Sequence, residues 1–264
     1  MSATIDSPSS RYGTLRDVAD LAPLLASRSW ERRAEPFPHV VADDVFGRPV
    51  YDQLATDFDT LYSTHGNPYN ARHDFVGISL TRGGCGSLDL FLSPAWHTLM
   101  ASLFGIDDPV GWITAGAHRH WPGSRPGFPH NDIFPERLGD STVRGEAIES
   151  DRCRPAPRRD DRVVRAVALL FYINNPEWRP GDGGTTGLYR HWSDDVDDPA
   201  RLIAPRHNSL LAFECSPYSY HAFMANGRRR DSVVVFAHRS LSSFQALWGA
   251  DGVRQYADPG SSRA

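Results

Sequence analysis

The sequence predicts an α+β protein, mainly β, built as a sandwich or jelly roll with helices packed on one side. Three observations predict it. Apolar residues recur at helical spacing in parts of the first hundred positions, and from Gly111 the period shortens to that of strands, in short runs of aromatic and β-branched residues. Prolines and glycines, 20 and 22 in number, interrupt those runs at the short intervals that the turns of a β-rich region require. The 264 residues suffice for one well-buried domain and are few for two.

Taken in order, the helical spacing predicts helices over residues 15–25, 49–62 and 94–104. Ser93 followed by Pro94 gives the third an N-cap and a first-turn proline, whose missing N–H would be unbonded there anyway. Strands are predicted over 112–121, 163–173, 185–189, 209–215, 218–224 and 232–237, each bounded by Gly, Pro, Asn or Asp. Residues 138–162 differ: densely charged, poor in large apolar side chains and broken by Pro155 and Pro157, they are excluded from the core. They read either as a solvated insertion or as a lid over a site. Residues 1–35 are then a tail and first helix, 36–245 one domain carrying the lid-like insertion at 138–162, and 246–264 a C-terminal tail.

Composition excludes several chemistries. All 28 basic residues are arginine, so no lysine is available for a Schiff base, a P-loop or general-base catalysis. Against 32 acidic residues the net charge is −4 and the pI about 6.2, a balance that does not draw in a phosphate backbone over long range. Cys85, Cys153 and Cys215 are odd in number and far apart, so neither a disulfide framework nor a thiolate metal site is expected. Residues 1–11 lack the basic start and apolar run of a secretory signal, and no apolar stretch approaches the roughly 18 residues of a membrane span. The expectation is a cytoplasmic protein that binds neither membrane nor nucleic acid.

Chemistry concentrates in Phe128-Pro129-His130-Asn131-Asp132. On extended chain, residues two apart point to the same side, so His130 and Asp132 present an imidazole and a carboxylate to a common point. His221 lies in another apolar strand, where an unpaired imidazole is costly, and offers a third ligand. Two histidines and a carboxylate form the facial triad that leaves open positions on non-haem Fe(II). Nine residues after His221, Arg230 leads into the apolar run Ser232-Val233-Val234-Val235-Phe236. A guanidinium at such a strand mouth can grip a carboxylate through two parallel hydrogen bonds. Arg228 and Arg229 read as solvated turn residues.

In this order the residues resemble the Fe(II)- and 2-oxoglutarate-dependent oxygenases of the prolyl-4-hydroxylase-like group, whose pattern is HxD, a distal His, and an Arg about ten residues later. The likeness covers roughly residues 36–240. Phe37-Pro38-His39-Val40-Val41 looks like the family's opening, and Trp121-Pro122-Gly123 like the turn before HxD. Phe171-Tyr172-Ile173-Asn174, with Trp178 and Gly183-Gly184, is similar to the strand and Gly-Gly turn that follow; residues 205–213 resemble the strand before the distal His.

The resemblance implies a double-stranded β-helix (jelly-roll) core with N-terminal packing helices. It implies Fe(II) on His130, Asp132 and His221, and 2-oxoglutarate held at its distal carboxylate by Arg230, with Ser232 adding a hydroxyl donor. His118 or His120, where relatives place Arg or Tyr, would hydrogen-bond the cosubstrate. With dioxygen, the implied reaction oxidises an unactivated C–H bond, most simply by hydroxylation, and releases succinate and CO2. Asp132 argues against the halogenases, which hold Gly or Ala there. Nucleic-acid demethylases carry a second Arg six residues after the cosubstrate Arg, and Phe236 or Val235 stands there instead. The implied partner is therefore a small molecule such as an amino acid, a sugar or a natural-product intermediate, with Trp121, His191, Trp192 and Arg144 as candidate contacts.

Two other readings stay open at this stage. His118 and His120 form the HxH of a cupin-type metal enzyme, although Gly123 and Ser124 stand where that pattern wants a Glu. A jelly roll without metal could also be a non-catalytic binding module. The remaining histidines, His39, His65, His73, His97, His207 and His238, read as surface or hydrogen-bonded residues.

Overall fold

The structure, a computed structural model, describes residues 12–27, 29–65, 69–70, 74–80, 84–107, 109–137, 162–175 and 177–253. In chain order these form α1 (Val18–Leu21), β1 (Glu31–Arg33), β2 (His39–Ala42), α2 (Arg48–Thr64), β3 (Tyr69–Asn70), β4 (Phe75–Ser79) and α3 (Pro94–Leu103). There follow β5 (Pro109–His120), β6 (Pro135–Arg137), β7 (Arg162–Tyr172), β8 (Thr186–Tyr189) and β9 (Arg201–Ile203). The chain ends in β10 (Ser209–Glu214), β11 (Tyr220–Phe223), β12 (Arg230–Ser240) and α4 (Leu241–Trp248).

Strand β7 is an almost continuous apolar run, which suits a strand covered on both faces. It lies within a nine-stranded antiparallel sheet of order β1-β2-β10-β7-β12-β5-β4-β3, with β6 also paired to β7. A second sheet has the order β11-β8-β9. The inner face of the large sheet, with Ala168, Leu170, Leu211, Phe213, Val234 and Phe236, packs on Leu188 and Ile203 of the small one. Its outer face, with Val167, Leu169, Phe171, Val233 and Val235, packs against Leu54, Phe58 and Leu61 of α2 and Trp96 and Met100 of α3. Two facing sheets with helices on one outer side are the expected jelly-roll architecture.

Local signals explain most element ends. Ser93 Oγ accepts the Trp96 N–H at 3.2 Å and starts α3 as its sequence predicts. Along α2, Leu54, Phe58, Leu61 and Tyr62 fall on one buried stripe. The helix expected over 15–25 is only the four residues of α1: the Asp17–Asp20 capping box starts it late, and Pro23 cannot continue it.

Secondary structure extends beyond residues 36–245 at both ends. Strand β1 lies ahead of residue 36 and pairs with β2. At the other end α4 runs on to Trp248, a 3-10 turn covers Ala250–Val253, and Phe244 packs on Ile133 and Val164. Of the charged insertion, 138–161 lies outside the described residues, and Arg162 opens β7. Among the described residues no helix is long and apolar enough to cross a membrane.

Candidate active site

The site forms where the chain preceding β6 runs beside β11. Backbone N–H groups of Gly123 and Gly127 donate to Asn226 O and Phe223 O, both at 2.8 Å, and His130 and His221 exchange both backbone bonds at 3.1 and 2.9 Å. Residues 123–130 thus act as an irregular fourth strand of the small sheet and set His130 opposite His221, ring centroids 4.4 Å apart. Asp132, two residues on, turns its carboxylate to the same point. Its Oδ2 is 3.2 Å from His221 Nε2 and its Oδ1 3.8 Å from His130 Nε2. The three ligand atoms lie within 4.8 Å of one another, the one such group of His, Cys, Asp or Glu found among the described residues.

Backbone carbonyls fix both rings. His130 Nδ1 is 2.9 Å from Phe128 O, and His221 Nδ1 is 3.2 Å from Ser219 O. A carbonyl only accepts, so each Nδ1 carries the hydrogen, and each Nε2, facing the carboxylate, is the atom left to bind a metal ion. Burial pushes the Asp132 carboxyl up, but His221, Arg165 and His130 outweigh it and hold the group well below the usual carboxylate range. Two imidazoles and one anionic carboxylate so placed fit a divalent cation of Fe(II) type and leave one side open.

Arg165, which the sequence reading passed over, donates Nη1–H to Asp132 Oδ1 at 2.9 Å. A basic residue inside an otherwise apolar strand is the signal that could have found it.

Arg230 opens β12 and is buried. Its Nη2 donates to Thr186 Oγ1 at 3.2 Å and its Nη1 to His120 Nδ1 at 3.4 Å, with its Cζ 5.2 Å and 5.1 Å from the Tyr172 and Phe223 ring centroids. Its Nε and the Ser232 hydroxyl, two residues on and on the same strand face, are buried without a hydrogen-bond partner. Among the described residues no carboxylate forms an ion pair with Arg230. Burial lowers its pKa below the ordinary arginine value, against the pull of Tyr172 and Asp231, so a carboxylate counter-charge would stabilise it. A buried guanidinium with its own Nε–H unpaired and an unpaired hydroxyl beside it fits the distal carboxylate of 2-oxoglutarate.

His118 and His120 both face inward, opposite Ser232 and Arg230 in the register of β5 and β12. They stack on Phe75 at 4.1 Å and on Phe223 at 4.0 Å, and neither joins the metal-type cluster. Trp121, His191 and Trp192 lie on the surface, the two tryptophans 45% and 48% exposed. Arg144 lies outside the described residues. The Gly183-Gly184 turn closes on the same region: both residues have φ near +70°, Gly184 N donates to Ala225 O at 2.9 Å, and a Cβ on Gly183 would collide with that carbonyl.

A double-stranded β-helix with a His-Asp-His cluster and a buried arginine beside it is the build of the non-haem Fe(II) oxygenases. The family model described as the 2OG-Fe(II) oxygenase superfamily matches residues 153–238, a span that contains His221, Arg230 and Ser232. Over that span the chain is similar to the 2OG-Fe(II) oxygenases. A prolyl 3-hydroxylase of Xenopus laevis is 36% identical over 85 residues, which is 30% of this chain and 16% of that protein. The match therefore spans about a sixth of that relative's length.

Solved structures share the fold. A prolyl 4-hydroxylase of Phytophthora capsici superposes with a TM-score of 0.52 at 17% identity, over 92% of this chain and 68% of that one. A prolyl-4-hydroxylase of Pseudomonas putida gives 0.50 at 18% identity, over 84% and 96%.

Proposed function

We propose that the protein is a 2-oxoglutarate-dependent dioxygenase that oxidises, most simply hydroxylates, an unactivated C–H bond of a small metabolite and releases succinate and CO2. The observation that carries this reading is the buried, carboxylate-free Arg230, with its unpaired Nε and the unpaired Ser232 hydroxyl, in the same sheet sandwich as the His130-Asp132-His221 cluster. In this reading His130, Asp132 and His221 hold Fe(II), while Arg230 and Ser232 grip the distal carboxylate of 2-oxoglutarate. Bound Fe(II), 2-oxoglutarate and dioxygen supply the oxidising chemistry; the chain supplies orientation and a dry interior. His120 accepts from Arg230 and holds its guanidinium in place, and His118 lines the same face.

The surface residues Trp121, His191 and Trp192 are the substrate contacts in this reading. The small-metabolite substrate is supported by the acidic balance and the missing second arginine after Arg230. A second reading, a prolyl residue of a peptide, is favoured by the 36% identity to a prolyl 3-hydroxylase. The buried free thiol of Cys215 suits a reducing cytoplasm.

Anaerobic titration of metal-stripped protein with Fe(II) and then 2-oxoglutarate tests the proposal. A visible charge-transfer band that needs both additions, is lost in Asp132→Ala and requires more cosubstrate in Arg230→Ala is expected. Bound iron without such a band would overturn 2-oxoglutarate as its ligand. Succinate release with metabolites set against proline-containing peptides separates the two substrate readings.

A further inference from the structure

We propose that Arg165 is a positioning residue that fixes which oxygen Asp132 presents to the metal, an inference that rests on the metal centre proposed above. It stands on three features. The Arg165 Nη1–H occupies Asp132 Oδ1 at 2.9 Å, while Oδ2 is the oxygen that lies 3.2 Å from His221 Nε2. The carboxylate is thereby left with one oxygen to coordinate rather than two, which keeps a coordination position open.

The guanidinium is itself held in place. Its Cζ stands 3.8 Å from the Phe236 ring centroid and 6.0 Å from that of Phe134.

The backbone, finally, is irregular at the point that aims this side chain. Val167 pairs with Ala237 and Arg165 with His238, so Ala166 is an extra residue on β7. Before this bulge the inward residues are Tyr172, Leu170 and Ala168. Strict alternation would turn residue 165 outward; the bulge shifts the phase by one and points Arg165 at Asp132.

The sign of the effect on metal affinity separates this role from simple charge. A guanidinium beside a dication repels it, so if charge alone mattered, removing Arg165 would tighten binding. Loss of the hydrogen bond that orients a ligand weakens binding instead, by about tenfold or more.

Metal-stripped wild type, Arg165→Met, Arg165→Lys and Asp132→Ala proteins are titrated with Co(II), reading the apparent Kd and the d–d absorption, with thermal melts alongside. Arg165→Met is expected to bind about tenfold more weakly with altered d–d bands, and Arg165→Lys, which keeps a charged donor, to recover most of both. A purely structural role would lower the melting temperature and leave the bands of the folded protein unchanged. Should Arg165→Met fail to fold, Phe236→Leu removes the ring under the guanidinium but no charge, and altered bands are expected there too. Unchanged or tighter Co(II) binding in Arg165→Met, with binding lost in Asp132→Ala, overturns the role of Arg165 alone. Wild-type protein that binds no Co(II), or Asp132→Ala that binds like wild type, overturns the metal centre and this inference with it.

Discussion

Asp231 and Arg119 form a two-pronged buried ion pair directly behind Arg230, with Nε–Oδ1 at 2.9 Å and Nη2–Oδ2 at 2.8 Å. Asn175 ties down the same residue's backbone: Asp231 N donates to its Oδ1 at 2.7 Å, and its Nδ2 donates to Asp231 O at 3.1 Å. Arg119 also stands 4.2 Å over the Tyr62 ring. Residue 231 lies between Arg230 and Ser232, which face the other way, so holding its backbone sets the aim of both.

Arg119→Met strips the buried Asp231 carboxylate of its two-pronged partner and leaves Arg229 Nε, at 3.3 Å from Oδ2, as its remaining charged contact. Urea denaturation should show a loss of roughly 3 kcal/mol, the lower end for a broken buried pair because Arg229 remains, and the affinity for 2-oxoglutarate should fall with it. The double variant Arg119→Met/Asp231→Leu should regain part of the stability, because no lone charge remains buried. A loss under about 1 kcal/mol in the single variant would show that the pair behaves as an exposed one.

Gly183→Ala tests the turn under Arg230. The residue has φ +70° and its added Cβ would meet the Ala225 carbonyl, so strain and collision combine. Gly181→Ala is the control, since φ is +96° there but nothing lies within 4 Å of the added carbon. Gly183→Ala should be the less stable of the two by more than about 1 kcal/mol in thermal or urea unfolding and should bind 2-oxoglutarate more weakly. Equal behaviour would show that the collision is relieved without cost.

The long strands were legible because they are buried: the expected 163–173 is offset by one residue at each end from Arg162–Tyr172, and 209–215 runs one residue past Ser209–Glu214. The edge strands β1, β3, β6 and β9 are two or three residues long, too short for alternation to register. Helix α4 carried an overlooked signal, Ser240 as N-cap before Leu241 and Phe244 at helical spacing. In the site, the order of His130, Asp132, His221 and Arg230 was readable because each sits in an apolar context. Arg165 was not, since the bulge at Ala166 breaks the alternation by which its side would be assigned. The Arg119–Asp231 pair was invisible for another reason: its partners are 112 residues apart and only the register of β5 against β12 joins them.

Thr186 joins two groups that sequence reasoning left separate. Its hydroxyl accepts from Arg230 Nη2 at 3.2 Å and bonds the Tyr172 hydroxyl at 2.7 Å. Thr186→Val keeps the shape and removes both bonds, leaving two buried polar groups short of a partner at a cost of about 1–3 kcal/mol. Under the proposed function the KM for 2-oxoglutarate should rise about five- to tenfold with kcat little changed, because about 1 kcal/mol of cosubstrate binding is lost. A fall in kcat at constant KM would place Thr186 in a different role.

His238 makes stability depend on pH. It is fully buried, with Nδ1 3.2 Å from Trp112 O, and burial, then the nearby Arg165 charge, pull its pKa from the ordinary 6.5 down to about 3. The unfolded chain therefore binds a proton that the folded chain does not, at every pH between those two values. Stability is unaffected by this group above about pH 6.5 and declines as pH falls through the window toward 3, by a total on the order of 4 kcal/mol. His238→Gln cannot take up that proton, so its stability should fall less than that of wild type between pH 6.5 and 4, whatever its offset at neutral pH. Urea midpoints measured across that range decide it: parallel pH profiles for the two proteins would mean that His238 is protonated as readily in the folded chain as in the unfolded one.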